Sequence, residues 1–143
     1  MTNATRDASL AAAAKLGLPP DLFIAQHTTH GVCIVSKHTV AIHKDGYSCH
    51  LGLHLDAAGV VNLWHPSIND LTPVVAAELP DWIMLKRHNR YGIVAASVNT
   101  DFHPPLEDTT EHDCHIAFVV NGLYKPTRRP YVMTFEPKEL HDI

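Results

Sequence analysis

The stretch LTPVVAAELPDWIMLKRHN, residues 71–89, decides what kind of domain this chain builds. Its apolar residues cluster with helical texture, Asp70 or Thr72 can cap its start, and Pro73 fits the first helical position, where a missing N–H costs nothing. Pro80 lacks a donor and clashes with the preceding turn, so it must kink such a helix or split it. The stretch therefore predicts one kinked central helix. Lys86, Arg87 and Arg90, with His88, then fall at its end and complement its dipole.

Working outward, SLAAAAKLGLPP (9–20) predicts an N-terminal helix through Leu16, capped by Asp7 or Ser9. Gly17 supplies the left-handed residue that ends it, and Pro19 with Pro20 prevents continuation. Between the two helices the texture changes to short β-rich runs: LFIAQ, GVCIVS, TVAIH, YSCHLGLHL and GVVNLW. KDGY (44–47) and DAAG (56–59) read as turns of an antiparallel meander. After the central segment, YGIVAASVNTD, HIAFVVNG and PYVMTFEP read as further strands. The expected fold is α+β: a single domain over residues 1–143, mainly an antiparallel sheet of about six to eight strands, with an N-terminal helix and one kinked central helix.

A chain of 143 residues with 45% hydrophobic and 18% charged residues fits one globular domain and argues against extended disorder. A net charge of −4 disfavours nonspecific nucleic-acid binding, which needs Lys and Arg on phosphates. No run of 18 apolar residues occurs, so no membrane span is expected, and the alanine-rich N-terminus lacks the basic and apolar regions of a signal peptide. Cys33, Cys49 and Cys114 are odd in number and unpaired in spacing, which suggests reduced thiols and a cytoplasmic protein. It should fold alone or as a simple homo-oligomer.

The compositional outlier is histidine, with 12 residues. Each titrates near neutrality, so solubility and binding are expected to depend on pH. The richest segment is HPPLEDTTEHDCH, residues 103–115. A catalytic zinc needs three protein ligands, an open position for water and a carboxylate base, and this segment holds all of those residue types. The leading expectation is a small hydrolase using a divalent metal, zinc by its ligand types, with His103, His112 and His115 as ligands. Glu111 or Asp113 would activate water against a small-molecule or peptide substrate.

The alternative is a non-enzymatic binding module for a small ligand or protein partner with pH-sensitive histidines. There His54 and Asp56, two apart on one strand face, meet the ligand, while Lys125, Arg128 and Arg129 contact an anionic part of the partner. His50, Gly52 and His54 share the outer face of their strand, and Gly52 leaves a gap there. The two readings differ in a checkable way: a metal enzyme gathers three ligands on one point, whereas a binding module needs an apolar pocket with few polar groups. HTTH (27–30) sits at a strand-to-strand turn, and a tight turn brings His27 and His30 together.

Two short stretches echo metallopeptidases. DFHPPLEDTTEHD (101–113) is similar to the JAMM/MPN signature of HxHP followed by SxxD, with Asp101 where the first His belongs and Thr110 for the Ser. SKHTVAIHKD (36–45) resembles the SxHxxGxAxD motif of D-Ala-D-Ala metallopeptidases through Ser36, His38 and Asp45, with Ala41 replacing the glycine. Each covers under a tenth of the chain, and neither assigns it to a family.

Overall fold

The structure is a computed structural model that describes residues 2–41, 48–97, 115–120 and 130–143. One helix, α1 (Asn3–Lys15), precedes nine strands: β1 (Leu22–His27), β2 (Gly31–Ala41), β3 (Ser48–Leu55), β4 (Val61–Trp64), β5 (Leu71–Pro73), β6 (Ile83–His88), β7 (Gly92–Ser97), β8 (His115–Val120) and β9 (Pro130–Phe135). They form two antiparallel sheets, ordered β4-β3-β2-β1-β5 and β6-β7-β8-β9. The expected α+β domain with one sheet and a kinked central helix is thus corrected to a mostly β architecture, with two sheets and a single long helix among the described residues.

The correction turns on residues 71–89. Pro73 closes β5, the edge strand of the first sheet, where a residue without an N–H is tolerated. Pro80 leaves only six residues between the prolines, too few to nucleate a helix against its entropy, and two of them are β-branched. Val74 donates instead to the Ile24 carbonyl at 2.9 Å, continuing the pairing with β1. Val74 and Ala76 turn toward the core while Val75 is 68% exposed, a period of two. Beyond Pro80, Ile83 and Leu85 of β6 face inward and Met84 outward.

Lys86, Arg87 and Arg90 consequently flank no helix end. Arg87 of β6 exchanges both backbone hydrogen bonds with His141, each at 2.9 Å, and Lys86 Nζ lies 2.6 Å from Asp142. The C-terminal segment therefore returns from β9, at one edge of the second sheet, to β6 at the other. Leu140 is buried on the way, against Val94, Ala96, Ala117, Val119 and Phe135.

Strand alternation assigns each side chain to a layer. Leu22 and Ile24 of β1, Ile34 of β2, Leu53 of β3 and Val61 of β4 meet Ile83, Ala95, Ile116 and Phe118 of the second sheet in one shared core. The opposite face of the first sheet carries Phe23, Ala25, Cys33 and Val35, with Leu71, Leu10 and Trp64 packed on them. Run GVCIVS and the first three residues of TVAIH are one strand, β2, whose register against β3 shifts between Val35 and Thr39. The DAAG turn forms as expected; KDGY lies outside the described residues.

Helix α1 starts earlier than the sequence suggested, with Thr2 as its cap accepting from the Thr5 N–H at 3.2 Å. Ser9 is a buried tie rather than a cap: its hydroxyl lies 2.7 Å from the carbonyls of both Ile24 and Val74, so one proton holds α1 to β1 and to the chain after β5. Gly17 adopts φ +89°, ending the helix as predicted. No helix among the described residues is long and apolar enough to cross a membrane.

Candidate functional site

Two features meet at the ends of β1, β2 and β3, one on each face of the first sheet. On the inner face is an open cavity of about 760 Å³ lined by Ile24, Val32, Leu55, Val74, Leu79 and Trp82, with Gly59 from the β3–β4 turn. It borders the shared core, of which Ile24 and Trp82 are members. Among the described residues that line it, Glu78 and Asp81 alone are charged. A volume within about 300–1,000 Å³ and mostly apolar walls with few polar groups are the features of small-ligand sites.

On the outer face stands a column of three imidazoles. His27 ends β1, His30 sits in the turn to β2, and His54 lies near the end of β3. The His27 and His30 rings are stacked at 5.0 Å and 21°, and the His30 and His54 rings at 4.0 Å and 24°. All three set their edges against Trp64 of β4, at 5.5, 5.7 and 4.6 Å. The indole lies over Gly52, its partner in the β3–β4 register, where a Cβ would come 2.6 Å from Trp64 Cζ3. The gap at Gly52 is therefore real, and an aromatic ring from the next strand fills it.

Local bonds fix the ring states. His27 Nδ1 accepts from the Thr29 and His30 N–H groups at 3.1 and 3.2 Å, which puts the proton of the neutral ring on Nε2. Burial, then the neighbouring His30, holds His27 below the ordinary imidazole pKa, opposed by Asp70. The same two causes lower His54, opposed by the Leu55 carbonyl and Asp56. No group among the described residues completes a hydrogen bond to buried His54 Nδ1. Further along the face His50, 2% exposed, donates from Nδ1 to the Ser36 carbonyl at 2.8 Å, and burial is the main cause that lowers it too. The outer face of this strand is thus covered at both histidines.

A consequence for stability follows. His27, His50 and His54 stay neutral in the folded chain at pH values where the unfolded chain, near pKa 6.5, takes protons. Their contribution is fully present above about pH 6.5 and is lost as the pH falls below it. The urea midpoint is expected to be lower at pH 5 than at pH 7.5, with m unchanged. Equal midpoints would mean that these rings are not held neutral.

The predicted site residues fare unevenly. His103, Glu111, His112, Asp113, Lys125, Arg128 and Arg129 lie outside the described residues. His115 opens β8, donates from Nδ1 to the Ser97 carbonyl at 2.6 Å and lines a small cavity of about 160 Å³ with Lys86, Ser97 and Leu140. His54 and Asp56 do not form an acid–base pair. Asp56 Oδ1 accepts from the Ala58 and Val60 N–H groups and Oδ2 from Asn62, all at 2.9 Å, which shapes the turn and holds the carboxyl below its usual range. Of the peptidase-like residues, His38 Nε2 lies 3.1 Å from Asp21, and Asp45 is outside the described residues. Burial pushes the Cys33 thiol up to about 12, so no thiolate nucleophile arises there.

Among the described residues no group of three or more His, Cys, Asp or Glu is arranged to hold a metal ion. The histidine column shows why numbers are not enough. Ring nitrogens bind in the ring plane at about 2 Å, and near-parallel rings stacked 4.0–5.0 Å apart cannot aim at a common point. Sequence reasoning saw His27 and His30 as neighbours but not His54 or Trp64 with them. No protein-family model matches this chain, and no curated protein or solved structure resembles it significantly.

Proposed function

We propose that this protein is a non-enzymatic binding module that takes a small, largely apolar ligand into the cavity beside the shared core. The cavity of about 760 Å³ carries the reading, because its walls are core side chains left open at one end of the first sheet. Ile24, Val32 and Leu55 are held by strand register, so that side of the cavity is preformed. The charged groups at the site, Glu78 and Asp81, are exposed and orient a ligand rather than react with it.

A neutral naphthylamine fluorophore is expected to bind with about one-to-one stoichiometry and micromolar Kd. Ala76→Trp puts an indole into the cavity from its wall and should weaken the probe at least about tenfold without lowering the thermal midpoint. Probe binding that ignores Ala76→Trp would place it elsewhere and defeat the reading.

The metal-dependent hydrolase remains a second reading on one observation. His115 gives its Nδ1 proton to a backbone carbonyl, the orientation that metal-ligating histidines adopt, which leaves Nε2 as its ligating atom. One equivalent of zinc in untagged protein, lost in His115→Ala, would favour that hydrolase over the binding module.

A further inference from the structure

We propose that the stacked His27, His30 and His54 rings form a proton-operated latch that releases the cavity's ligand in mildly acidic solution. The inference rests on the binding reading above for its ligand, but its own structural basis is separate. The stack and the cavity are two faces of the same strand ends. His54 precedes Leu55 in β3, and His30 stands two residues before Val32 in β2; Leu55 and Val32 both line the cavity. The β3–β4 turn that follows β3 supplies Gly59. Whatever moves the turn between β1 and β2 away from β3 therefore moves the cavity wall.

Neutral, the three rings hold that turn down. His30 is the middle ring, in contact with a ring of β1 and a ring of β3 at once, and its residue is exposed. Charging two members places like charges 4.0–5.0 Å apart. The surrounding carboxylates offset them only in part. Asp56, hydrogen-bonded into the β3–β4 turn, favours charge at the His54 end and Asp70 at the His27 end, and burial outweighs each. Cys33, opposite His54 in β2, is a neutral thiol, and Trp64 from β4 offers an indole face that suits one cation but not three. Burial already holds His27 and His54 below the usual imidazole range, so acid meets a stack that resists charge and yields by opening.

The test titrates the neutral naphthylamine fluorophore against the wild type, His30→Phe and His30→Gln at pH 7.5 and 5.5. Phenylalanine keeps a stackable ring without a titrating group; glutamine removes the ring. The wild type should bind at least about fivefold more weakly at pH 5.5, His30→Phe should keep its pH 7.5 affinity at both values, and His30→Gln should be weak at both. A wild-type change under about twofold, or an equal loss in His30→Phe, overturns the latch while leaving the binding module intact. Absence of probe binding at both pH values defeats the binding reading instead. The latch is then decided by the indole emission that Trp64→Phe removes: quenching between pH 7 and 5 that is absent in His30→Phe supports it, and identical curves overturn it.

Discussion

Phe118→Ala is expected to cost about 3–5 kcal/mol and to weaken both sheets together. Phe118 is fully buried in β8, facing Ala95 on one side and Val132 on the other. Its ring belongs to the cluster that also holds Ile24, Ile34 and Leu53 of the first sheet. Removing it opens a void between layers that cannot collapse, because strand register fixes both walls. A domain of this size has about 5–15 kcal/mol in all, so the loss takes a large share. Urea unfolding followed by indole emission, which reports Trp64 of the first sheet and Trp82 of the shared core, should coincide with far-ultraviolet circular dichroism. Two separated transitions would show that the sheets fold as independent units and that the shared core is not one.

Much of this architecture is legible in the residues. Short β-rich runs mark β1, β3 and β4 on the first sheet, apolar runs mark β7, β8 and β9 on the second, and the Gly17 and Pro19 stop signals end α1 where they should. Residues 71–89 defeat the reading because apolar residues at adjacent positions fit either period, and length then decides. The two prolines cut that length to six residues, which was the better signal; the in, out, in alternation of Val74, Val75 and Ala76 is one of burial and shows only in the structure. The cavity followed the same error, since Val74, Leu79 and Trp82 line it in a segment that is irregular rather than helical. The histidine column needed strand order as well: β1, β2, β3 and β4 lie side by side, and only their register brings His30 from a turn onto His54. Residue types alone pointed to a metal, whereas ring orientation decides whether a set of histidines can ligate or stack.

Gly52→Val should dismantle that column from below. Gly52 sits between Val35 of β2 and Trp64 of β4 in register, and both side chains lean over it. A Cβ there would lie 2.6 Å from Trp64 Cζ3 and 2.9 Å from Val35 Cγ1. Strand geometry poses no obstacle to valine, which favours extended backbone, so the cost is one of space alone. The indole must swing outward, because Val35 is fully buried and has nowhere to go. With it go the edge contacts to all three imidazoles. Overpacking of this kind costs about 1–3 kcal/mol. Gly52→Ala should show the same sign with a smaller loss. A double-mutant cycle separates the indole from the rest of the face: combined with Trp64→Leu, which vacates the space, Gly52→Val should lose at least about 1 kcal/mol of its cost. Strict additivity in urea would mean that Gly52 serves Val35 and the strand pairing rather than the ring above it.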